Sequence, residues 1–456
     1  MHIGARHISF VAGDTARDEI DRVPAGAGQG LNSAVPVDAT AATMVLRLYN
    51  TRSRRKEPFS PRTPGVVKMY VCGPTTYDYS HLGHARSYID FDTARRYLEF
   101  LGNRVVYVQN FTDIEEVIIR RAAEVGKPPL EYSQFFIDAF LEDMRALNVR
   151  DADHYTKVTE HIPEIVDVVR RLIDHGYAYA VDGDVYFRTR QATHSFGILS
   201  HQKVEDIVVD FAPPGTPKED PLDFALWKKS KEGEPSWPSP WGDGRPGWHV
   251  ECNAMAYKYL GAPLDIHGGG VDLKFPHHES EAMICEGAWG GEWARWWMHN
   301  GFITLAREKM SKSLGNFVTI REVLVDFPGE VIRLCLLKAQ YREDVEYDQG
   351  CFARAKTEYN AMRAVIGGAR RADGRGTAGK VDALVKRTRE SFFAAMDDDL
   401  NTADALYRLQ QLTEALADMA GVSSSEGHAI VRLYQECGQI LGLLSQASSE
   451  QVYVEY

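Results

Sequence analysis

His81 and His84 stand three residues apart with Gly83 between them, and far downstream Lys309 and Lys312 also stand three apart, among small and polar residues. Imidazoles at the start of a helix can donate hydrogen bonds to phosphate oxygens. The free N–H groups and the positive end of the helix dipole already favour an anion there. Gly83 lets a ligand come close to the backbone. A loop holding Lys309, Ser311, Lys312, Ser313 and Gly315 can close on a polyphosphate and stabilise charge leaving as pyrophosphate. The expected chemistry is centred on phosphate, with these two histidines and two lysines as catalytic candidates.

A second set of residues has the donor types of a metal site. Cys72 follows an apolar strand, and Cys252 ends the run Gly247-Trp-His-Val-Glu-Cys. His277 and Glu281 are four residues apart, so a helix would put both on one side. If the strand ends converge, two thiolates, one imidazole and one carboxylate make a four-ligand zinc site. The competing reading takes Cys72 and Cys252 as small buried hydrophobes, the usual fate of a free cysteine. Cys285, Cys335, Cys351 and Cys437 lie in helical apolar patterns and are read that way.

The elements that must position these residues follow from periodicity. Val66–Val71 is apolar and β-branched, as in a parallel strand buried on both faces. Beyond it Tyr88, Phe91, Ala94, Leu98 and Leu101 recur at helical spacing, and Gly102 is a candidate helix end. Residues 104–110 form a second strand, closing a strand–helix–strand unit of Rossmann type. Thr112 and Asp113 sit at its carboxyl end, where open α/β sheets place ligands. Two helices are expected over 113–125 and 131–147. Between 155 and 245 a hairpin pattern and Pro-, Gly- and Trp-rich stretches mark an inserted module. The parallel sheet resumes at Leu264, and its carboxyl end carries Gly268-Gly-Gly-Val-Asp272. One further strand is expected over 297–304. Helices over 351–367, 380–396, 403–419 and 425–441 read as a four-helix bundle, the third capped by Asn401.

The expected fold is therefore α/β. A Rossmann-like parallel-sheet catalytic domain (46–154 and 246–345) is interrupted by an inserted module (155–245), and a C-terminal helical bundle (346–444) follows. Residues 1–45 read as a disordered extension and 445–456 as a tail. The formal charge of −12 argues against nucleic-acid binding through net charge, although local basic patches are compatible with it. No apolar run is long enough to span a membrane. Six irregularly spaced cysteines in 456 residues point to a reducing compartment rather than a disulfide framework.

The paired signatures around His81–His84 and Lys309–Lys312 resemble those of class I aminoacyl-tRNA synthetases. The stretches MYVCGPTTYDYSHLGHAR (69–86), YVQNFTDI (107–114), DFALWK (223–228), GRPGWHVEC (244–252), DIHGGG (265–270), FPHHESE (275–281) and EKMSKSLGNF (308–317) resemble cysteinyl-tRNA synthetases in particular, over residues 46–445. The resemblance implies activation of L-cysteine by ATP, with Mg2+, and transfer to tRNA(Cys). It implies one zinc ion per chain, held by Cys72, Cys252, His277 and Glu281, that binds the substrate sulfur. It places Gly73, Thr112, Trp248 and His277 at the cysteine, and His81, His84, Gly269, Asp272 and Lys312 at ATP. It also gathers His249, His267 and His278 near the zinc, and it implies a cytoplasmic monomer.

The chain departs from the family pattern at Glu115-Glu-Val117, at Ser280 and at Met283-Ile-Cys285. The sequence ends soon after the bundle, without the family's small C-terminal domain, so weaker anticodon discrimination is expected. The same end suits an alternative, a ligase that passes activated cysteine to a small-molecule amine, as the mycothiol cysteine ligase does. Tyr79-Ser80 and Arg86, with Ser-Leu-Gly-Asn in the lysine loop, favour the tRNA ligase. A third reading, a catalytically inactive relative, conflicts with retention of both signatures and all four candidate metal ligands.

Overall fold

Five strands build the central sheet: β1 (Val66–Val71), β2 (Arg104–Phe111), β3 (His154–Lys157), β4 (Leu264–Gly270) and β5 (Ala294–Asn300). The computed structural model describes residues 45–203, 217–305, 308–310 and 317–445. The expected extension over 1–44, the tail over 446–456, most of the loop around Lys312, and the stretch Pro213-Pro-Gly lie outside the described residues.

The strands run in the order β5-β4-β1-β2-β3, all parallel, with Val67 opposite Val105 and Met69 opposite Ile266. Val67, Met69, Val71, Val108 and Ile266 are fully buried, as a sheet covered on both faces requires. The chain moves from β1 outward through β2 to β3, then returns to the other side of β1 for β4 and β5. β1 is therefore the switch point, and the carboxyl ends of β1, β2 and β4 open onto the crevice where such sheets bind ligands.

Helix α1 (Leu82–Phe100) connects β1 to β2, and α2 (Pro129–Ala146) precedes β3. α3 (Trp248–Leu260) leads into β4, and α4 (His277–Trp289) links β4 to β5. Leu101, expected on the apolar face of α1, is instead its C-cap and is 43% exposed, because Gly102 takes φ +89° and turns the chain away. Between β3 and α3 lies a separate four-stranded antiparallel sheet of Ala178–Val181, Asp184–Phe187, Phe224–Lys229 and Gly244–Pro246. Its first hairpin turns at Asp182 and Gly183, both at positive φ, as an Asp-Gly turn allows.

The strand expected over 297–304 is two elements. β5 ends at Asn300, and Ile303–Leu305 joins a small sheet with Glu308–Lys309 and Val345–Glu346. The break lies where Gly301 N donates to Tyr341 O, and the buried Arg86 of α1 donates to the carbonyls of Phe302, Gln340, Tyr341 and Glu343.

Four helices follow: α5 (Gln349–Arg370), α6 (Lys380–Asp397), α7 (Thr402–Ala417) and α8 (Ser424–Leu441). Asn401 caps α7 by accepting from Asp404 N, and Ser423 with Glu426 forms a capping box on α8. The buried Arg333 donates to Asp92 of α1 at 2.5 Å and to Leu441 O, joining the bundle to the sheet domain. Reading Cys335 and Cys351 as unpaired apolar residues was wrong: the structure joins them in a disulfide, their Cα atoms 6.1 Å apart, where Gly329–Leu337 packs beside α5. Cys72, Cys252, Cys285 and Cys437 are free and buried.

Candidate active site

Cys72 is the first residue beyond β1, and two helices, α3 and α4, bring the other three side chains of its set to it. Its Sγ lies 3.7 Å from Cys252 Sγ on α3 and 3.6 Å from Glu281 Oε1 on α4. His277 Nε2, one turn before Glu281, lies 3.6 Å from Cys252 Sγ and 3.2 Å from Glu281 Oε1. All four residues are buried, and their ligand atoms lie within 4.8 Å of one another. A tetrahedral zinc with bonds of about 2.3 Å to sulfur and 2.0–2.1 Å to nitrogen and oxygen has edges of about 3.3–3.8 Å, which these separations match. Burial pushes the Cys72 thiol well above its ordinary range, and the neighbouring Cys252 and Glu281 add to it. Burial, then His249 and His267, pushes His277 well below the usual imidazole value. In the protein alone the set is neutral thiols with a neutral imidazole, and a cation is the natural counterpart of their deprotonated form.

Cys72 and Glu281 also group with His267 and His278. That second set faces inward, since His267 and His278 do not line the adjoining cavity whereas Cys72, Cys252 and His277 do. Its histidines, with His249, brace the first set. His267 Nε2 lies 2.9 Å from Glu281 Oε2, which also accepts from Trp293 Nε1, and His249 Nδ1 lies 3.0 Å from His277 Nδ1. His278 bridges Cys72 Sγ, at 3.3 Å, and His299, at 2.8 Å.

The cavity holds about 320 Å³. It runs from the sulfurs past Gly73, Thr112 and Trp248 to His81, His84, Asp272 and Lys309. Trp248, the first residue of α3, stacks on His277 at 4.3 Å. Thr112 Oγ1 donates to the buried Glu251. Gly73 N donates to Asn110 Oδ1 at 2.7 Å, and a Cβ on Gly73 would stand 1.5 Å from Asn110 O, so only glycine lets β1 and β2 end this close.

At the other end His81 is the N-cap of α1. Its Nδ1 accepts from Gly83 N, and His84 Nδ1 accepts from His81 N. The imidazoles therefore satisfy two N–H groups at the helix start that would otherwise be open to an anion. With Nδ1 accepting, the proton sits on Nε2, so each ring donates from that edge. Lys309 Nζ lies 2.7 Å from Asp272 Oδ2. Gly269 lies within β4 beside Leu273 and His278, and its neighbour Gly270 lines the cavity. Lys312 lies outside the described residues, but the chain leaving its loop returns to the histidine turn: Leu82 N donates to Val318 O and Ile320 N to Ser80 O. Sequence reasoning missed Glu251, Glu279 and His299. The signal for Glu251 was its place next to Cys252, and for Glu279 its place midway between His277 and Glu281; for His299 there was none.

A family model described as tRNA synthetases class I (C) catalytic domain matches residues 58–357, and one described as DALR domain matches 391–445. The chain is 50% identical to "Cysteine--tRNA ligase" of Thermococcus onnurineus, over 82% of this chain and 80% of that one. It is 46% identical to the protein of the same name from Caldicellulosiruptor saccharolyticus, over 89% of each. Among solved structures it resembles a Mycobacterium tuberculosis methionyl-tRNA synthetase in complex with methionyl-adenylate (18% identity, 82% of this chain and 89% of that one, TM-score 0.60). It also resembles a LeuRS–tRNA–LeuAMS complex from Agrobacterium radiobacter (12% identity, 84% and 85%, TM-score 0.62). These structures share the fold. The family model and the relatives together cover most of a chain whose sulfur, imidazole and lysine groups meet in one crevice, and the chain belongs to the class I tRNA synthetases of the cysteine–tRNA ligase family.

Proposed function

We propose that this protein charges tRNA(Cys) with L-cysteine in two steps at the cavity between Cys72 and Lys309. The observation that carries the reading is the placement of a four-donor set of two thiols, an imidazole and a carboxylate at one end of that cavity, with His81, His84 and Lys309 at the other. Cys72, Cys252, His277 and Glu281 would hold one zinc ion. When bound, zinc supplies a Lewis acid that prefers a thiolate to a hydroxyl and so separates cysteine from serine.

Gly73, Thr112 and Trp248 flank the amino acid. Its carboxylate oxygen attacks the α-phosphorus of ATP, pyrophosphate leaves, and cysteinyl-adenylate forms. His81 and His84 donate from Nε2 to phosphate oxygens. Lys309, with Lys312 and a Mg2+ ion accompanying ATP, offsets charge on the departing pyrophosphate. Asp272 accepts from the ribose hydroxyls beside the turn at Gly269 and Gly270. The terminal ribose hydroxyl of the tRNA then attacks the activated carbonyl, and AMP leaves. Catalysis is mainly positioning and electrostatic stabilisation.

We assign residues 46–154 and 246–345 to the catalytic domain, 155–245 to the inserted module and 346–444 to the tRNA-facing bundle. Arg354, Lys356, Arg363, Arg370, Arg371, Arg375, Lys380, Lys386, Arg387 and Arg389 are all exposed on it, which supports contact with RNA phosphates. From its membership of this family we infer a cytoplasmic monomer; among the described residues no helix is long and apolar enough to cross a membrane. The test is cysteine-dependent exchange of pyrophosphate into ATP, together with charging of tRNA(Cys). Exchange without charging, and with transfer to amines instead, would overturn the reading.

A further inference from the structure

Glu279 lies on α4 between the metal-ligand candidates His277 and Glu281, yet it points to the other side. It is fully buried. Its carboxylate accepts four hydrogen bonds: from Gly197 N at 2.8 Å, Leu199 N at 3.2 Å, Ser200 N at 2.7 Å and Ser200 Oγ at 2.9 Å. Every donor belongs to one short segment of the inserted stretch between Asp184–Phe187 and Phe224–Lys229. A carboxylate so surrounded makes charge-assisted bonds, the strong class, and a buried one that lost them would carry a full desolvation penalty.

That segment packs into the apolar cluster that holds two of the metal-ligand candidates. Leu199 is fully buried in the same apolar cluster as Cys72 and Cys252. Its chain reverses tightly, with Gly197 at φ +80° and His201 N donating to Gly197 O. A Cβ on Gly197 would stand 2.5 Å from Gln202 O. The hydrophobic shell around a metal site governs water access and ligand exchange.

We propose that Glu279 is a positioning residue that latches the segment 197–200 over the sulfurs of Cys72 and Cys252, so that Leu199 seals the inner side of the metal site and slows loss of the ion. The latch makes the inserted stretch part of the metal site, although it contributes no ligand. The inference rests on the zinc reading above, and the measurements separate the two.

Zinc content of the purified full chain is determined by atomic absorption for the wild type, Glu279→Gln, Leu199→Ala and Ser200→Ala. Release of zinc to a chromogenic chelator is then timed at one temperature, well below every melting point. Glutamine keeps one acceptor oxygen and turns an N–H2 group on the segment's N–H donors, so the latch should open. Zinc should leave Glu279→Gln and Leu199→Ala about 10–100-fold faster than the wild type, the range for groups supporting metal ligands. Ser200→Ala, which loses one donor of four, should fall between. If Glu279→Gln does not fold, Leu199→Ala and Ser200→Ala decide. Wild-type protein without zinc overturns the zinc reading and the latch with it. One zinc per chain with unchanged release in the folded variants overturns the latch alone, and a lowered melting point with unchanged release marks Glu279 as merely structural.

Discussion

Lys309 Nζ lies 2.7 Å from Asp272 Oδ2, across the mouth of the cavity, the lysine on the small sheet and the aspartate in the turn after β4. The side chains are 39% and 45% exposed, so the pair contributes at most about 1 kcal/mol and opens readily. ATP would take both partners, the ribose claiming Asp272 and the pyrophosphate Lys309. Lys309→Ala is expected to lower kcat of pyrophosphate exchange about 100-fold or more while KM for cysteine stays within about twofold. Asp272→Asn is expected to raise KM for ATP about tenfold. Steady-state exchange kinetics give both numbers, and a matching rise in KM for cysteine would count against this division of roles.

Zinc affinity should climb steeply with pH. Burial raises the Cys72 thiol well above its ordinary range, and Cys252 is also raised: the hydrogen bond from Cys72 pulls it down, and burial together with the charges of Glu281 and Glu251 outweighs that. Each thiol must lose its proton to bind, so below their raised values the two thiols together contribute up to about 100-fold in affinity per pH unit. Chelator competition between pH 6 and 8 measures the slope. Cys252→Ser should leave zinc well below one per chain.

Arg321, one turn beyond the lysine loop, should matter to adenylate formation without touching substrate. It pairs with Glu142 at 2.7 Å and Asp143 at 2.9 Å on α2, and its guanidinium lies 5.1 Å from the ring centre of Tyr79, beside the histidine turn. Burial pushes Asp143 up to about 6, with Arg321 pulling it back. Arg321→Ala is expected to slow pyrophosphate exchange about tenfold with little change in KM for cysteine. Equal loss in cysteine binding, seen by calorimetry, would show a general disturbance instead.

Asp90 gives a pH signature. Burial pushes it up to about 7 despite Arg86 3.8 Å away, while an unfolded carboxyl titrates near 3.8. The folded state therefore binds the extra proton, and the wild type loses stability as pH rises from about 4 to 7, then levels off. Asp90→Asn does not titrate. The stability of the variant relative to wild type should rise by about 1.4 kcal/mol per pH unit across that window, as other groups cancel in the difference. Paired urea titrations at pH 5 and 8 test it; a flat difference would mean Arg86 keeps Asp90 ionised throughout.

Much of the fold was legible because it is local. A mostly apolar run at Val66–Val71 reports a strand covered on both faces, and helical spacing in the last hundred residues reports burial at a period of 3.6. The four bundle helices were accordingly expected within three residues of where they lie. His277 and Glu281 could be paired for the same reason. Which cysteines meet is a different matter. Cys72 and Cys252 are 180 positions apart, and only the order β4-β1-β2, with α3 leading into β4, sets their sulfurs 3.7 Å apart. Cys335 and Cys351 had the same apolar helical context as Cys285 and Cys437, and helix packing alone joined the first pair and left the others free. Likewise, that His81 and His84 cap their own helix, that Lys309 rests on Asp272 and that Glu279 grips residues 197–200 are distances between elements. Residue type and spacing determined which groups this protein can bring to bear; the strand order and the packing of helices on the sheet decided which of them touch, because periodicity records which face is buried and not what it is buried against.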